Sequence, residues 1–149
     1  MITNDIFETL LGKMSHFSSL IRKEVYIVIS HILCTMPKKF VKELIEKYDT
    51  LLKDFLEGLK EVTQPHLLLE ILDTVDHFGK IDHELGYQKD QSLIYLVEVS
   101  GGLELMEQLQ MCNNETVYNR IIDIFNRYTG VEEELEIHEA SNTLPPFNN

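Results

Sequence analysis

Hydrophobic residues recur through most of this sequence at spacings of three and four positions, which is the pattern of helices with one buried face. The clearest example runs from Gly101 to Gly130, where a short amphipathic helix, a polar corner at residues 112–115 and a second amphipathic helix follow one another. The second helix is predicted to end at Gly130, since glycine readily adopts the left-handed conformation that closes helices. Neither helix can bury its apolar face alone, so the pair predicts further helices packed against it.

The same periodicity predicts helices over most of the preceding hundred residues, and no segment requires a strand. Pro37 marks a boundary between two helices, and Pro65 lies in the first turn of another, where proline is tolerated. That helix is predicted to stop at Gly79, and the polar residues 80–88 are predicted to form a loop. The helices predicted before Gly101 cover residues 5–13, 18–34, 38–49, 50–60, 63–79 and 89–100.

Three of these helices are related to one another by sequence. IRKEVYIVISHIL from Ile21, LLLEILDTVDHF from Leu67 and VYNRIIDIFNRY from Val117 align without gaps, at offsets of 46 and 50 residues. A repeat of about 40 to 47 residues with three helices in each unit is typical of armadillo and HEAT proteins. The sequence therefore predicts an all-α fold of about two and a half to three armadillo repeats. A single helical bundle without repeats is the alternative that periodicity leaves open.

The amino-acid composition limits the kinds of molecule that this protein could bind. The 149 residues are 44% hydrophobic, which is enough for a real core, and 25 acidic against 13 basic residues give a net charge of -12. This excess argues against a nucleic-acid partner, since that affinity comes mainly from cations that neutralise phosphates. Two distant cysteines, no signal peptide and no apolar run of about 20 residues predict a reduced intracellular protein without a membrane span.

Motifs for catalysis or metal binding are missing from the sequence. Asp73 and His77 share a helix face, but neither an HExxH motif nor a Cys/His cluster accompanies them. There is also no GxSxG motif and no glycine-rich phosphate loop. We therefore expect no enzyme, no metal site and no cofactor. Because His31 and His77 occupy equivalent repeat positions, a pH-sensitive surface stays open as an alternative.

Three segments resemble the C-terminal armadillo repeats of importin alpha, the adaptor family that carries nuclear localisation signals. They are IRKEVYIVIS at Ile21, GGLELMEQLQ at Gly101 and the closing VYNRIIDIFNRYTGVEEE. The resemblance covers about residues 6–136. It implies a right-handed superhelix whose long helices line the concave face, in a protein that shuttles between nucleus and cytoplasm. The implied organisation is a partial repeat 3–34, a repeat 38–79, a C-terminal repeat 89–130 and a flexible acidic tail 131–149.

The resemblance also implies a groove for basic nuclear localisation signals. In the family, a tryptophan and, four residues later, an asparagine on each long helix hold the signal peptide. Here those paired positions hold other residues, namely Ile27 and His31, Asp73 and His77, and Asp123 and Arg127. Since the chain has no tryptophan, the expected interaction is that of carboxylates with a basic, extended peptide. The predicted groove residues are Glu24, Ile27, His31, Glu70, Asp73 and His77.

A second surface is implied at the C-terminal end. In the family, the last repeat and its acidic end dock the export receptor that returns the adaptor to the cytoplasm. The matching residues here are Tyr118, Arg120, Glu132, Glu133 and Glu134. A solvated acidic tail explains the three glutamates as well. Binding of importin beta would need a segment outside these 149 residues.

A structural or assembly module is the alternative function. Repeat arrays need a polar capping unit at each end, and the first predicted helix has none that is obvious. Its apolar stripe of Ile6, Phe7, Leu10 and Leu11 is therefore expected to be uncovered. Such a stripe would support self-association, or binding of another chain without recognition of a cargo signal.

Overall fold

The computed structural model describes residues 4–15 and 18–129, and within these ranges the chain is helical and contains no strand. The predicted all-α fold class is confirmed, and it is consistent with a helical repeat. A short 3-10 helix (Lys89–Gln91) precedes α7, and a π-helix (Phe125–Thr129) continues α9. The α-helices are α1 (Asn4–Lys13), α2 (Ser19–Thr35), α3 (Lys38–Lys47), α4 (Leu51–Leu56), α5 (Gly58–Glu61), α6 (Pro65–Leu85), α7 (Leu93–Val99), α8 (Gly102–Leu109) and α9 (Glu115–Ile124).

Helix α6 organises the core. It is 21 residues long, begins with Pro65 in its first turn, and packs against α2, α7 and α9. Its fully buried side chains recur at helical spacing, and they include Ile71, Val75 and Phe78. Side chains from the other helices close around this face, so the buried residues form one continuous cluster.

The three repeated segments lie on α2, α6 and α9, with α6 in contact with both of the others. The Ser30 and Thr74 hydroxyls share a hydrogen bond of 2.7 Å, and the Tyr128 hydroxyl donates one of 2.9 Å to Asp76. These partners are 44 and 52 positions apart, close to the sequence offsets of 46 and 50. Equivalent turns of the long helices therefore lie next to each other.

The predicted helix end at Gly79 is wrong, and so is the loop predicted for residues 80–85. Helix α6 continues to Leu85 and ends at Gly86, whose φ of 69° is the left-handed conformation typical of a helix cap. Gly79 is instead buried in the helix interior, where the ring of Tyr128 leaves no room for a β-carbon. Ile81, inside the predicted loop, is fully buried.

The extra turns of α6 determine where α7 begins. The Asp82 carboxylate accepts hydrogen bonds from the amides of Leu93 (2.7 Å) and Ile94 (2.9 Å). Ser92, the N-cap residue, accepts a further bond of 3.0 Å from the Tyr95 amide. Burial raises the pKa of Asp82, while the two amide hydrogen bonds lower it. The helix predicted for residues 89–100 is consequently divided into the 3-10 helix and α7.

The apolar stripe of α1 is mostly covered, contrary to the expectation of an open face. Phe7 is buried, and its ring centroid lies 5.1 Å from that of Tyr48. Leu10 and Leu11 are partly buried against the core, whereas 55% of Ile6 is exposed. The acidic tail predicted for residues 131–149 and the helix end predicted at Gly130 lie outside the described residues.

Candidate functional site

A cleft of about 490 Å³ lies between the polar faces of α6 and α9. Four of its lining residues lie on α6, and the last three of them are three, four and seven positions after the first. Three more lie on α9 and the π-helix, where the last two are three and seven positions after the first. These spacings place each set on one face of its helix. We term this site the charged cleft. Its lining residues are Cys34 of α2, Asp73, Asp76, His77 and Lys80 of α6, and Arg120, Asp123 and Arg127 of the C-terminal helices.

The charged cleft holds three carboxylates and three basic side chains, and most of them are paired with one another. Asp73 forms an ion pair with Arg120. Asp76 pairs with Lys80 at 3.1 Å and with Arg127 at 3.5 Å. Only 15% of the Asp76 side chain is exposed, compared with 53% for Asp73. Asp76 is therefore a fixed link between the helices, whereas Asp73 is open to solvent.

Tyr128 strengthens the link at Asp76. Its hydroxyl donates a hydrogen bond of 2.9 Å to Oδ1 of that carboxylate. Burial, together with the hydrogen bond to Asp76 and the charge of Asp76, raises the pKa of Tyr128 to about 12. The hydroxyl is thus protonated, and remains a donor, at neutral pH. Because Tyr128 and Arg127 both lie on the π-helix, this turn joins the end of α9 to the centre of α6.

His77 and Cys34 are the remaining polar side chains of the charged cleft. Nε2 of His77 is inaccessible to solvent and has no hydrogen-bond partner within the described residues. Burial lowers the pKa of His77, with further lowering by Lys38 and Lys80, so its imidazole is neutral at pH 7. Burial also raises the pKa of the Cys34 thiol, which lies 3.7 Å from the Thr74 hydroxyl. A thiol in this state is a weak nucleophile.

The six predicted groove residues are only partly brought together. Asp73 and His77 line the charged cleft. Glu24 and His31 are exposed on α2 and Ile27 is half-buried there, at spacings that place all three on one helix face. Glu70 is half-buried, and its backbone carbonyl accepts a hydrogen bond from Ser30.

The groove was expected to carry carboxylates that face a basic peptide, but the charged cleft contains as many cations as carboxylates. The predicted groove residues did not include Asp76, Lys80 or Arg127, although Arg127 had been placed at a groove position of the third long helix. Arg120 was assigned to receptor docking, yet it pairs with Asp73. The alignment held a signal for this pairing, because Arg120 occupies the repeat position of Glu24 and Glu70. This charge reversal indicates an ion pair between α6 and α9, although the partner is Asp73, one turn beyond the equivalent Glu70.

The predicted docking surface is described in part. Tyr118 is 42% exposed on α9, whereas Glu132, Glu133 and Glu134 lie outside the described residues.

Among the residues that the structure describes, no group of three or more His, Cys, Asp or Glu side chains could hold a metal ion. None of the helices in these ranges has the length and hydrophobicity needed to cross a bilayer.

The chain is similar to importin subunit alpha-4 of Arabidopsis thaliana. The two are 34% identical over 70 residues, which is 46% of this chain and 13% of the length of that relative. No family model matches the chain, and no solved structure matches it. The similarity supports a distant relationship to an importin alpha subunit.

Proposed function

We propose that this protein is a non-enzymatic adaptor of nuclear protein import that binds extended, basic segments of cargo proteins along its long helices. The observation that carries the proposal is the stacking of α2, α6 and α9 with equivalent turns adjacent, which places the acidic positions of α6 beside a solvent-open cleft. The distant relationship to an importin alpha subunit supports the link to nuclear import. In this proposal the helices form armadillo repeats, and the repeat predicted to end at residue 79 continues to the end of α6 at Leu85.

The cargo segment lies across α2 and α6. Its basic side chains pair with Glu24, which is exposed on α2, and with Asp73, which is open to solvent on α6. Ile27 lies on the same face of α2 as Glu24 and offers apolar surface to the aliphatic stem of a lysine or arginine. Charge and apolar contact thus replace the stacking that a tryptophan would provide.

A second surface binds the export receptor that recycles the adaptor between nucleus and cytoplasm. Tyr118 is its described member, and an exposed tyrosine is a frequent anchor of protein interfaces. Glu132, Glu133 and Glu134 supply the acidic part of this surface. Arg120, which also lines the charged cleft, is the basic member of this surface.

The test is binding of a fluorescently labelled basic signal peptide, measured by anisotropy. Replacing Glu24 and Asp73 by lysine is expected to weaken binding at least about tenfold, because two attractions become repulsions. The matched control replaces Glu8 and Glu104, which are exposed on α1 and α8, and changes the net charge equally. Equal affinity of the two double variants for the peptide would reject the groove.

An assembly module is the second candidate, favoured by the exposure of Ile6 on α1 and Leu20 on α2. Such apolar side chains could join this chain to another copy or to a different protein. Light scattering over a range of concentrations separates the two candidates. A mass that stays at 17.4 kDa is the monomer value and argues against self-assembly.

A further inference from the structure

We propose that the charged cleft selects protein segments that carry both a basic and an acidic residue, with Arg120 and Arg127 as the specificity-determining residues. This inference rests on the proposed function, since it describes which cargo segment the long helices accept. It differs from a preference for purely basic signals because the charged cleft supplies cations as well as carboxylates to a ligand.

The first step of the argument is that the Asp73 and Arg120 pair can exchange partners. Both side chains are partly open to solvent, with 53% and 34% of their surfaces exposed. Exposed ion pairs contribute little to stability, so opening this pair costs little. A lysine or arginine of the ligand can therefore take the Asp73 carboxylate.

The second step concerns the guanidinium that such an exchange leaves behind. Arg120 loses its carboxylate and then lies beside a newly bound cation, with Arg127 also lining the same cleft. The two guanidinium groups and the bound cation repel one another, and each further cation of a purely basic ligand adds to this repulsion. An acidic residue of the ligand removes it, since a carboxylate can bind the planar guanidinium through two parallel hydrogen bonds.

The third step separates the exchangeable pair from the fixed one. Asp76 is mostly buried and is bound by Tyr128 and Lys80 as well as by Arg127. This carboxylate consequently stays within the protein when a ligand binds. Arg127 is 55% exposed and shares Asp76 with two other donors, so it retains positive charge toward the ligand. When a ligand cation takes Asp73, the carboxylates of Asp76 and Asp123 remain for the three cations of the cleft, so one positive charge is in excess. An acidic residue of a mixed-charge segment balances it.

The experiment compares labelled peptides of equal length by anisotropy. In the all-lysine peptide, lysine alternates with serine, so that every second position is charged. In the mixed peptide, these charged positions hold lysine and glutamate in turn. In the all-glutamate peptide, every charged position holds glutamate. For the wild-type chain we expect the mixed peptide to bind about tenfold more tightly than the all-lysine peptide, which corresponds to one additional charge-assisted contact.

The variant Arg120→Gln/Arg127→Gln removes both cleft arginines and is expected to reverse this order, so that the all-lysine peptide binds more tightly. The matched control Lys53→Gln/Lys60→Gln removes two exposed lysines outside the charged cleft and is expected to keep the wild-type order. Helical content and the unfolding midpoint, followed by circular dichroism, identify any variant that fails to fold. Because the comparison is between peptides on one protein, a partial loss of folded material does not change the order.

Each outcome bears on a different statement. If the wild-type chain binds the all-lysine peptide as tightly as the mixed one, the inference is overturned and the proposed adaptor function stands. If the arginine variant keeps the wild-type order, the role of Arg120 and Arg127 is overturned. If none of the peptides binds, the proposed function fails together with the inference.

Discussion

The ring of Tyr128 lies directly against the α-carbon of Gly79, so that the C-terminal π-helix rests on the middle of α6. The hydroxyl of the same tyrosine reaches Asp76, one turn earlier on α6. This contact explains why a glycine lies inside a long helix. A side chain at this position would separate the two helices that form the charged cleft.

Replacing Gly79 by alanine is expected to destabilise the protein by about 1 to 3 kcal/mol, because the new methyl group overlaps three atoms of the Tyr128 ring. The gain in helix propensity, about 1 kcal/mol, acts in the opposite direction and is already part of this expectation. Urea unfolding followed by circular dichroism measures the change.

The control for this prediction is Gly12→Ala in α1, where nothing lies within 4 Å of the added β-carbon. This variant is expected to be as stable as the wild type or slightly more stable. Combining Gly79→Ala with Tyr128→Ala should also abolish the penalty of the first change, since neighbouring residues are not additive. An unchanged midpoint for Gly79→Ala alone would contradict the contact.

Asp82 is predicted to hold the beginning of α7. Replacing it by alanine leaves the amides of Leu93 and Ile94 without their acceptor, and is expected to cost about 1 to 3 kcal/mol. Asp82→Asn keeps one acceptor oxygen and is expected to lose less. Asp90→Ala, an exposed change just before α7, is expected to stay within about 0.5 kcal/mol of the wild type. Equal effects of Asp82→Ala and Asp90→Ala would show that the cap contributes nothing.

The stability of the wild-type chain is predicted to fall as the pH drops below about 6.5, the ordinary histidine pKa, through the contribution of His77. Burial lowers the pKa of His77 in the folded state, so the unfolded chain binds a proton first. Protonation then favours unfolding, and the loss continues until the pH reaches the folded-state pKa.

The measurement is the free energy of unfolding between about pH 7.5 and 5, compared for the wild type, His77→Gln and His66→Gln. His77→Gln should show the weaker pH dependence, whereas His66→Gln, an exposed change on the same helix, should follow the wild type. Groups such as Asp82, whose pKa is raised, act with the opposite sign but contribute equally to all three proteins. Parallel curves for the wild type and His77→Gln would exclude this role of His77.

Tyr118 is predicted to anchor the docking of the export receptor. Because 42% of its surface is exposed, Tyr118→Ala should leave the unfolding midpoint nearly unchanged. Receptor binding is expected to weaken about tenfold or more, as is usual for an aromatic anchor of an interface. Surface plasmon resonance with immobilised receptor measures this loss. Tyr95→Ala, which removes another exposed tyrosine on α7, is the control and should bind like the wild type.

The all-α fold class and the repeat that relates the three long helices were predicted from the sequence alone. The spacing of apolar positions is a local property of one helix, so the buried faces of α6 and α9 follow from residues such as Ile71, Val75 and Ile121. The offsets of 46 and 50 residues also anticipated which turns lie side by side, because stacked repeats place equivalent positions next to each other.

The tertiary structure alone decided the features that depend on side chains from distant segments. Gly79 reads locally as a helix end, and only the approach of Tyr128 shows that it is a packing position. Asp82 reads as part of a polar loop, and only the position of α7 makes it a cap. Arg120 likewise pairs with Asp73 because α9 packs on α6. The expected row of carboxylates is therefore a cleft that carries positive as well as negative side chains. A sequence pattern records the preferences of each helix, whereas pairing between helices depends on distances that folding creates.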